Sequence, residues 1–198
     1  MTEERAALRQ VTTRQVYESP WLRLREDTVE RLDGSRGVYS VVEKRDFALI
    51  IPVEHGGFHV VEEFRYPIGR RAQSFPQGGW PPGETGGVPD DLARAELVQE
   101  TGLRAGRLTR LGYLNSSHGT STQGCHVYLA EDLTHGEPQR EPEEQDQTTR
   151  WVPQDELLRM IRDAEITDDS SVAAFALYLL NRPGVLPQSA LTMPPSTK

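Results

Sequence analysis

The chain has 198 residues, enough for one ordinary domain with a small appended element and too few for a string of domains. Hydrophobic residues make up 36% and charged residues 26%, which excludes disordered, collagen-like and coiled-coil compositions, and no apolar run reaches the ~20 residues of a membrane helix. Against 22 basic residues stand 30 acidic ones, and the resulting charge of −8 opposes a general phosphate-backbone surface, so no nucleic-acid partner is expected.

Residues 12–19, 21–29 and 38–43 are rich in alternating or β-branched side chains, with an Asp33-Gly34 turn between the last two, and predict an N-terminal set of strands. Residues 48–53 and 58–64 are apolar runs separated by Glu54-His55-Gly56-Gly57, which predicts a hairpin opening the core sheet. Residues 76–87 hold five glycines and three prolines and predict a long shaped loop without regular structure. A helix follows at 89–101: Pro89 suits a first turn, Asp90 and Asp91 suit the positive end of the helix dipole, and Gly102 suits the left-handed position that ends it. Residues 108–114, 126–130 and 150–152 predict further strands. Leu157, Leu158 and Ile161, then Val172, Phe175, Ala176 and Leu179, recur at helical spacing and predict helices at 155–162 and 170–180. The single cysteine, Cys125, excludes an intrachain disulfide and a multi-thiolate metal site, and reads as a buried strand thiol. His55, His59, His126 and His135 show no spacing that suggests a zinc site. The charged start of the chain lacks the apolar core of a signal peptide, so a cytoplasmic location with no membrane partner is expected.

Glu96 and Glu100 lie four apart on the helix at 89–101, hence on one side of it, with Gln99 adjacent. Two carboxylates one turn apart can share hard divalent cations, although a Glu-x-x-x-Glu pair alone reads more readily as a solvated face. Its surroundings change that reading. Gly78-Gly79-Trp80-Pro81-Pro82-Gly83-Glu84 and Ala95-Glu96-Leu97-Val98-Gln99-Glu100-Thr101-Gly102-Leu103 together resemble the Nudix box, whose pattern is Gly, five residues, Glu, seven residues, Arg-Glu-apolar-any-Glu-Glu-any-Gly-apolar. Three departures stand out: a middle spacer of ten residues, Ala95 in place of the family arginine, and Gln99 in place of a glutamate. The resemblance implies Mg²⁺ as cofactor, with Mn²⁺ as a substitute. It also implies Glu96, Glu100 and the Gln77 carbonyl as metal ligands, with Glu84 and Gln99 in supporting positions. The charge removed at Gln99 favours one or two ions over three.

Four flanking stretches resemble the ADP-ribose pyrophosphatase branch of that family. They are Ser19-Pro20-Trp21-Leu22-Arg23-Leu24, Asp33-Gly34-Ser35-Arg36, Val60-Val61-Glu62-Glu63-Phe64-Arg65-Tyr66-Pro67, and Trp151-Val152-Pro153. That branch implies N-terminal strands exchanged between two subunits of a homodimer, with Trp21 and Tyr39 at the positions that stack on adenine. It implies Arg65 on a phosphate and, within Glu141-Pro142-Glu143-Glu144-Gln145-Asp146, a catalytic base at Glu144 or, second, Glu143. His118 stands where the branch commonly has proline, sixteen residues after the box glycine Gly102, and is a candidate contact for phosphate or sugar.

The implied fold is α/β: a mixed β-sheet sandwiched between helices, with an N-terminal antiparallel strand subdomain. The expected division is 1–45 for dimerisation and nucleobase binding, 46–182 for the hydrolase domain and 183–198 for a flexible tail. The implied activity is Mg²⁺-dependent hydrolysis of a nucleoside diphosphate linked to a sugar, ADP-ribose first, to AMP and ribose 5-phosphate. Two alternatives stay open. Phe75-Pro76-Gln77-Gly78-Gly79 also resembles Nudix enzymes acting on dinucleoside polyphosphates or RNA ends, and Ala95 with Gln99 suits a nucleotide-binding module without turnover.

Overall fold

The computed structural model describes residues 7–81, 86–140 and 142–182, the side chain of Glu143 excepted. The first three strands, β1 (Leu8–Glu18), β2 (Arg23–Arg31) and β3 (Arg36–Glu43), form a separate antiparallel sheet in the order β1-β2-β3. The turn between β2 and β3 is built as its residues dictate: Asp33 accepts the Ser35 N–H at 2.9 Å, and Gly34 takes a φ of 81° that a side chain would resist. Almost every residue of β1 is exposed, so among the described residues no second layer covers that strand.

The core sheet comprises β4 (Phe47–Glu54), β5 (Gly57–Arg65), β6 (Arg70–Ser74), β7 (Gln77–Gly79), β8 (Arg104–Asn115), β9 (Gly124–Thr134) and β10 (Thr148–Pro153). Its order is β10-β5-β4-β9-β8, with β6 on β5 and β7 on β4. The β4/β9 pair is parallel and its other strand pairs are antiparallel, which makes the sheet mixed. His55 and Gly56 both have positive φ, the requirement of the two-residue turn whose twist matches flanking strands, and the expected β4–β5 hairpin follows.

Helix α1 (Pro89–Thr101) covers one face, and α2 (Gln154–Arg162) with α3 (Asp169–Asn181) covers the other. The strand parity is explicit in β4. Ala48 and Ile50 pack with Leu92, Ala93 and Leu97 of α1, whereas Leu49 and Ile51 pack with Leu157, Met160 and Phe175. A strand buried on both faces has no polar alternation to show, hence the continuous apolar run. Each such side chain contributes roughly 1.5–3 kcal/mol by leaving water.

One expectation needs correction. The Gly- and Pro-rich stretch at 76–87 is not wholly irregular: Gln77, Gly78 and Gly79 pair with Leu49, Ala48 and Phe47. Arg70–Ser74, a run whose pattern predicts no element, is strand β6 against β5. Both have one cause. β4 and β5 share only two residue pairs beside their turn and then part, and the edges they leave are satisfied by β7 and β6. The cleft opened by this parting faces α1.

Candidate active site

Helix α1 has the ends its sequence predicts, Pro89 in the first turn and Gly102 at φ 75°, whose N–H donates to the Val98 carbonyl at 2.9 Å. Docking Leu92, Ala93 and Leu97 on the sheet turns Glu96 and Glu100 inward, where they are only 7% and 2% exposed. Gly78 is indispensable to that arrangement, because a β-carbon there would stand 2.3 Å from a Glu96 carboxylate oxygen. The Gln77 N–H donates to Glu100 Oε2 at 3.3 Å. In an extended strand the N–H and C=O of one residue point to the same edge, so the Gln77 carbonyl is directed toward this carboxylate as well.

The electrostatics identify which other groups share the site. Burial above all pushes the Glu100 carboxyl well above the usual carboxylate range, and the charges of Glu96, Glu144 and Glu63 push it further, with Arg65 opposing. Glu63 is raised too, by its own burial, while its ion pair with Arg65 at 2.8 Å works the other way. Oxygen donors converging from α1, β5, β7 and the segment after β9 form a hard ligand set whose mutual repulsion a divalent cation would relieve. Their chemistry fits the cation implied by the sequence.

Glu144 ends a 3-10 turn, Pro142–Glu144, and its carbonyl accepts the Gln147 N–H at 2.9 Å. That segment is anchored by Asp146, which accepts from Arg71 at 2.7 Å and from the Phe64 N–H at 3.4 Å. Arg71 also bonds Glu62, and Arg70 donates to Thr167 at 2.8 Å, so both arginines are committed to structure. Glu84 and the side chain of Glu143 lie outside the described residues. On α1, Ala95 is exposed and Gln99 half-buried, with the Gln99 carbonyl accepting the Gln139 N–H at 3.0 Å.

Beside the carboxylates lies a cavity of about 480 Å³, lined by Trp21, Lys44, Arg45, Arg65, Trp80, Ser117 and Asp168 among others. Trp21 is presented by a tight turn in which Ser19 Oγ accepts the N–H groups of Trp21 and Leu22 at 3.3 and 3.2 Å. Tyr39 does not line this cavity; its hydroxyl donates to the Gly119 carbonyl at 2.7 Å. His118, in the same turn, is exposed and likewise outside the lining.

Sequence reasoning missed three contributors. Glu63 shares a β-strand face with Arg65, a parity that period-two counting from the buried Val61 reveals. Asp168 caps α3 by accepting the Ser171 N–H at 2.8 Å and also accepts from the Gln77 amide at 3.2 Å, a contact no local pattern announces. Trp80 lies inside the glycine-rich stretch, whose composition predicts only a loop, and lines the cavity. The buried-thiol reading of Cys125 is met: burial pushes it up to about 12, which leaves it unreactive at neutral pH.

A family model described as "NUDIX domain" matches residues 43–175, and one described as "Nucleoside diphosphate sugar hydrolase N-terminal domain" matches residues 9–42. The ADP-ribose pyrophosphatase of Mycobacterium tuberculosis is 32% identical over 153 residues, 76% of this chain and 72% of that one. That of Bacillus subtilis is 27% identical over 172 residues, 86% of this chain and 90% of that one. A solved structure described as ADP compounds hydrolase has the same fold, with a TM-score of 0.76 at 19% identity over 89% of this chain and 95% of the other. The chain therefore belongs to the Nudix family. It is a Nudix hydrolase similar to ADP-ribose pyrophosphatases. Among the described residues no helix is long and apolar enough to cross a membrane.

Proposed function

We propose that the protein hydrolyses the pyrophosphate bond of ADP-ribose, with Mg²⁺ as cofactor, to AMP and ribose 5-phosphate. The observation that carries this reading is the burial of Glu96 and Glu100 against the Gln77-Gly78 strand, where the charges of Glu63 and Glu144 also bear on Glu100, next to a cavity with Trp21 on its wall. The named relatives support it, two being ADP-ribose pyrophosphatases.

Glu96, Glu100 and the Gln77 carbonyl hold the cation, with Glu84 and Gln99 in support. A Mg²⁺ ion held by these groups would supply charge neutralisation for the pyrophosphate and lower the pKa of a water molecule. Glu144, or second Glu143, accepts the proton of the water that attacks phosphorus; the anhydride P–O bond breaks and its electrons leave with the departing phosphate. Arg65, held on one side by Glu63, sets its planar guanidinium against phosphate oxygens. Trp21 and Tyr39 stack on adenine, and His118 contacts a phosphate or sugar. The two aromatic residues serve one base in a homodimer that exchanges N-terminal strands, which accommodates a Tyr39 outside its own chain's cavity. Residues 1–45 then carry dimerisation and base binding, and residues 46–182 the chemistry.

A panel of ADP-ribose, other nucleotide sugars, dinucleoside polyphosphates and capped RNA, assayed with Mg²⁺ and Mn²⁺, tests the proposal. ADP-ribose should give the highest kcat/KM, and Glu96→Gln or Glu100→Gln should lower it roughly 100-fold or more. Preference for a dinucleoside polyphosphate or an RNA end would overturn the substrate. Tight ADP-ribose binding without products would make the protein a binding module.

A further inference from the structure

The hairpin turn between β4 and β5 brings together residues that no spacing in the chain connects. We propose that Glu54, His59 and His135 form a second divalent-cation site, of a kind suited to Zn²⁺, at the end of β4 away from the Nudix box. His59 Nε2 lies 3.1 Å from Glu54 Oε2, and His135 Nε2 lies 3.1 Å from both Glu54 oxygens. The three ligand atoms all fall within 4.8 Å of one another. Bonds of about 2.0–2.2 Å in a tetrahedral zinc site put neighbouring ligand atoms roughly 3.3–3.5 Å apart, so only small side-chain adjustments separate this cluster from a coordination shell. Two imidazoles and a carboxylate are a donor set that zinc accepts, with solvent in the fourth position.

The supports are firm. Glu54 ends β4, and its carbonyl accepts the Trp151 indole N–H at 2.9 Å. His59 sits on β5 and is only 7% exposed. Burial favours its neutral, ligating form. The bond from His135 keeps the Glu54 carboxyl below the usual carboxylate range, hence anionic. His135 directly follows β9, so a cation here would join the hairpin to a segment from a different part of the chain.

The site is distinct from the Nudix carboxylates. Gln77, which touches Glu100, pairs with Leu49, five residues along β4 from Glu54, or roughly 17 Å at the rise of a strand. Its consequence still reaches them. The segment leaving His135 passes Gln139, bonded to α1 at Gln99, before the turn that carries Glu144. A cation at His135 thus fixes the start of the loop that carries Glu144.

The test uses the full chain, stripped of metal, titrated with Zn²⁺ against a competing chelator in excess Mg²⁺. Wild type should bind one Zn²⁺ that His135→Ala weakens roughly 10- to 100-fold, and Co²⁺ should give tetrahedral d–d absorption in wild type and not in His135→Ala. His135 is largely exposed, so its loss leaves the fold intact, and equal melting temperatures without zinc would verify this. His55→Ala is the control: its ring is 85% exposed and 3.9 Å from Glu54, and binding should change less than about threefold. Glu96→Gln/Glu100→Gln should keep this zinc while losing turnover, which separates the proposal from the fate of the Nudix reading. Equal zinc affinity in wild type and His135→Ala, no zinc bound by wild type, or zinc lost only in Glu96→Gln/Glu100→Gln would each overturn it and leave a hydrogen-bond network.

Discussion

At Gly78 a single missing methyl group lets the Glu96 carboxylate lie against the strand. The atoms that an added β-carbon would meet are the far end of a flexible side chain, at 2.3–2.6 Å, so the chain can absorb Gly78→Ala by moving Glu96. We expect Gly78→Ala to melt within about 3 °C of wild type while kcat/KM falls roughly 10- to 100-fold. Unchanged turnover would mean that Glu96 has no part in the chemistry. Glu100 carries the opposite balance of stability and function. Its carboxyl is raised in the fold, so between the unfolded and folded pKa values the native state holds more protons, and the stability of metal-free protein falls as pH rises through that window. Glu100→Gln removes the buried charge and keeps an acceptor for the Gln77 N–H. In EDTA it should therefore melt a few degrees above wild type at pH 7, show a flatter pH profile, and gain less than wild type on adding Mg²⁺. A lower melting point than wild type in EDTA would contradict the repulsion.

Elements hold these residues in place by contacts far apart in sequence. Asp168 is the clearest, because one carboxylate caps α3 and also holds the Gln77 side chain beside the cavity. Asp168→Ala should cost about 1 kcal/mol, or roughly 2–4 °C in melting temperature, and raise KM for the substrate. Asp168→Asn retains a capping oxygen and should recover most of the stability. Equal KM in all three proteins would exclude any role for this contact in the site. The α1 boundaries are legible locally, since proline, acids and glycine act on the helix ends that contain them. Strands β6 and β7 are not legible in that way: apart from Ala72 their residues are polar or glycine, and they are extended because β5 and β4 offer them unpaired edges.

For the whole molecule, the three-stranded sheet poses the open problem. Val16 and Tyr17 on β1, and Val38 and Tyr39 on β3, are exposed apolar side chains on a sheet whose first strand is left uncovered by the described residues of its own chain. A second copy of the chain is the proposed cover. Light scattering at micromolar concentration should give twice the monomer mass, and Val16→Glu with Val38→Glu should give monomers that retain the core fold but bind nucleotide more weakly. A wild-type monomer would remove the shared base clamp from the proposal.

The chain's own order of residues determined the Nudix motif, the helix that carries Glu96 and Glu100, and the strands whose apolar runs must be buried. Each depends on neighbours within a few turns or on strand parity, which are visible in one dimension. Tertiary structure alone decided that Glu63 and Glu144 join Glu96 and Glu100, that Asp168 reaches Gln77, and that Glu54 meets His59 and His135. Those contacts arise where β4 and β5 part and where β9 ends beside their turn. Their geometry comes from strand pairing and two-sided burial across the whole sheet, which no local spacing encodes.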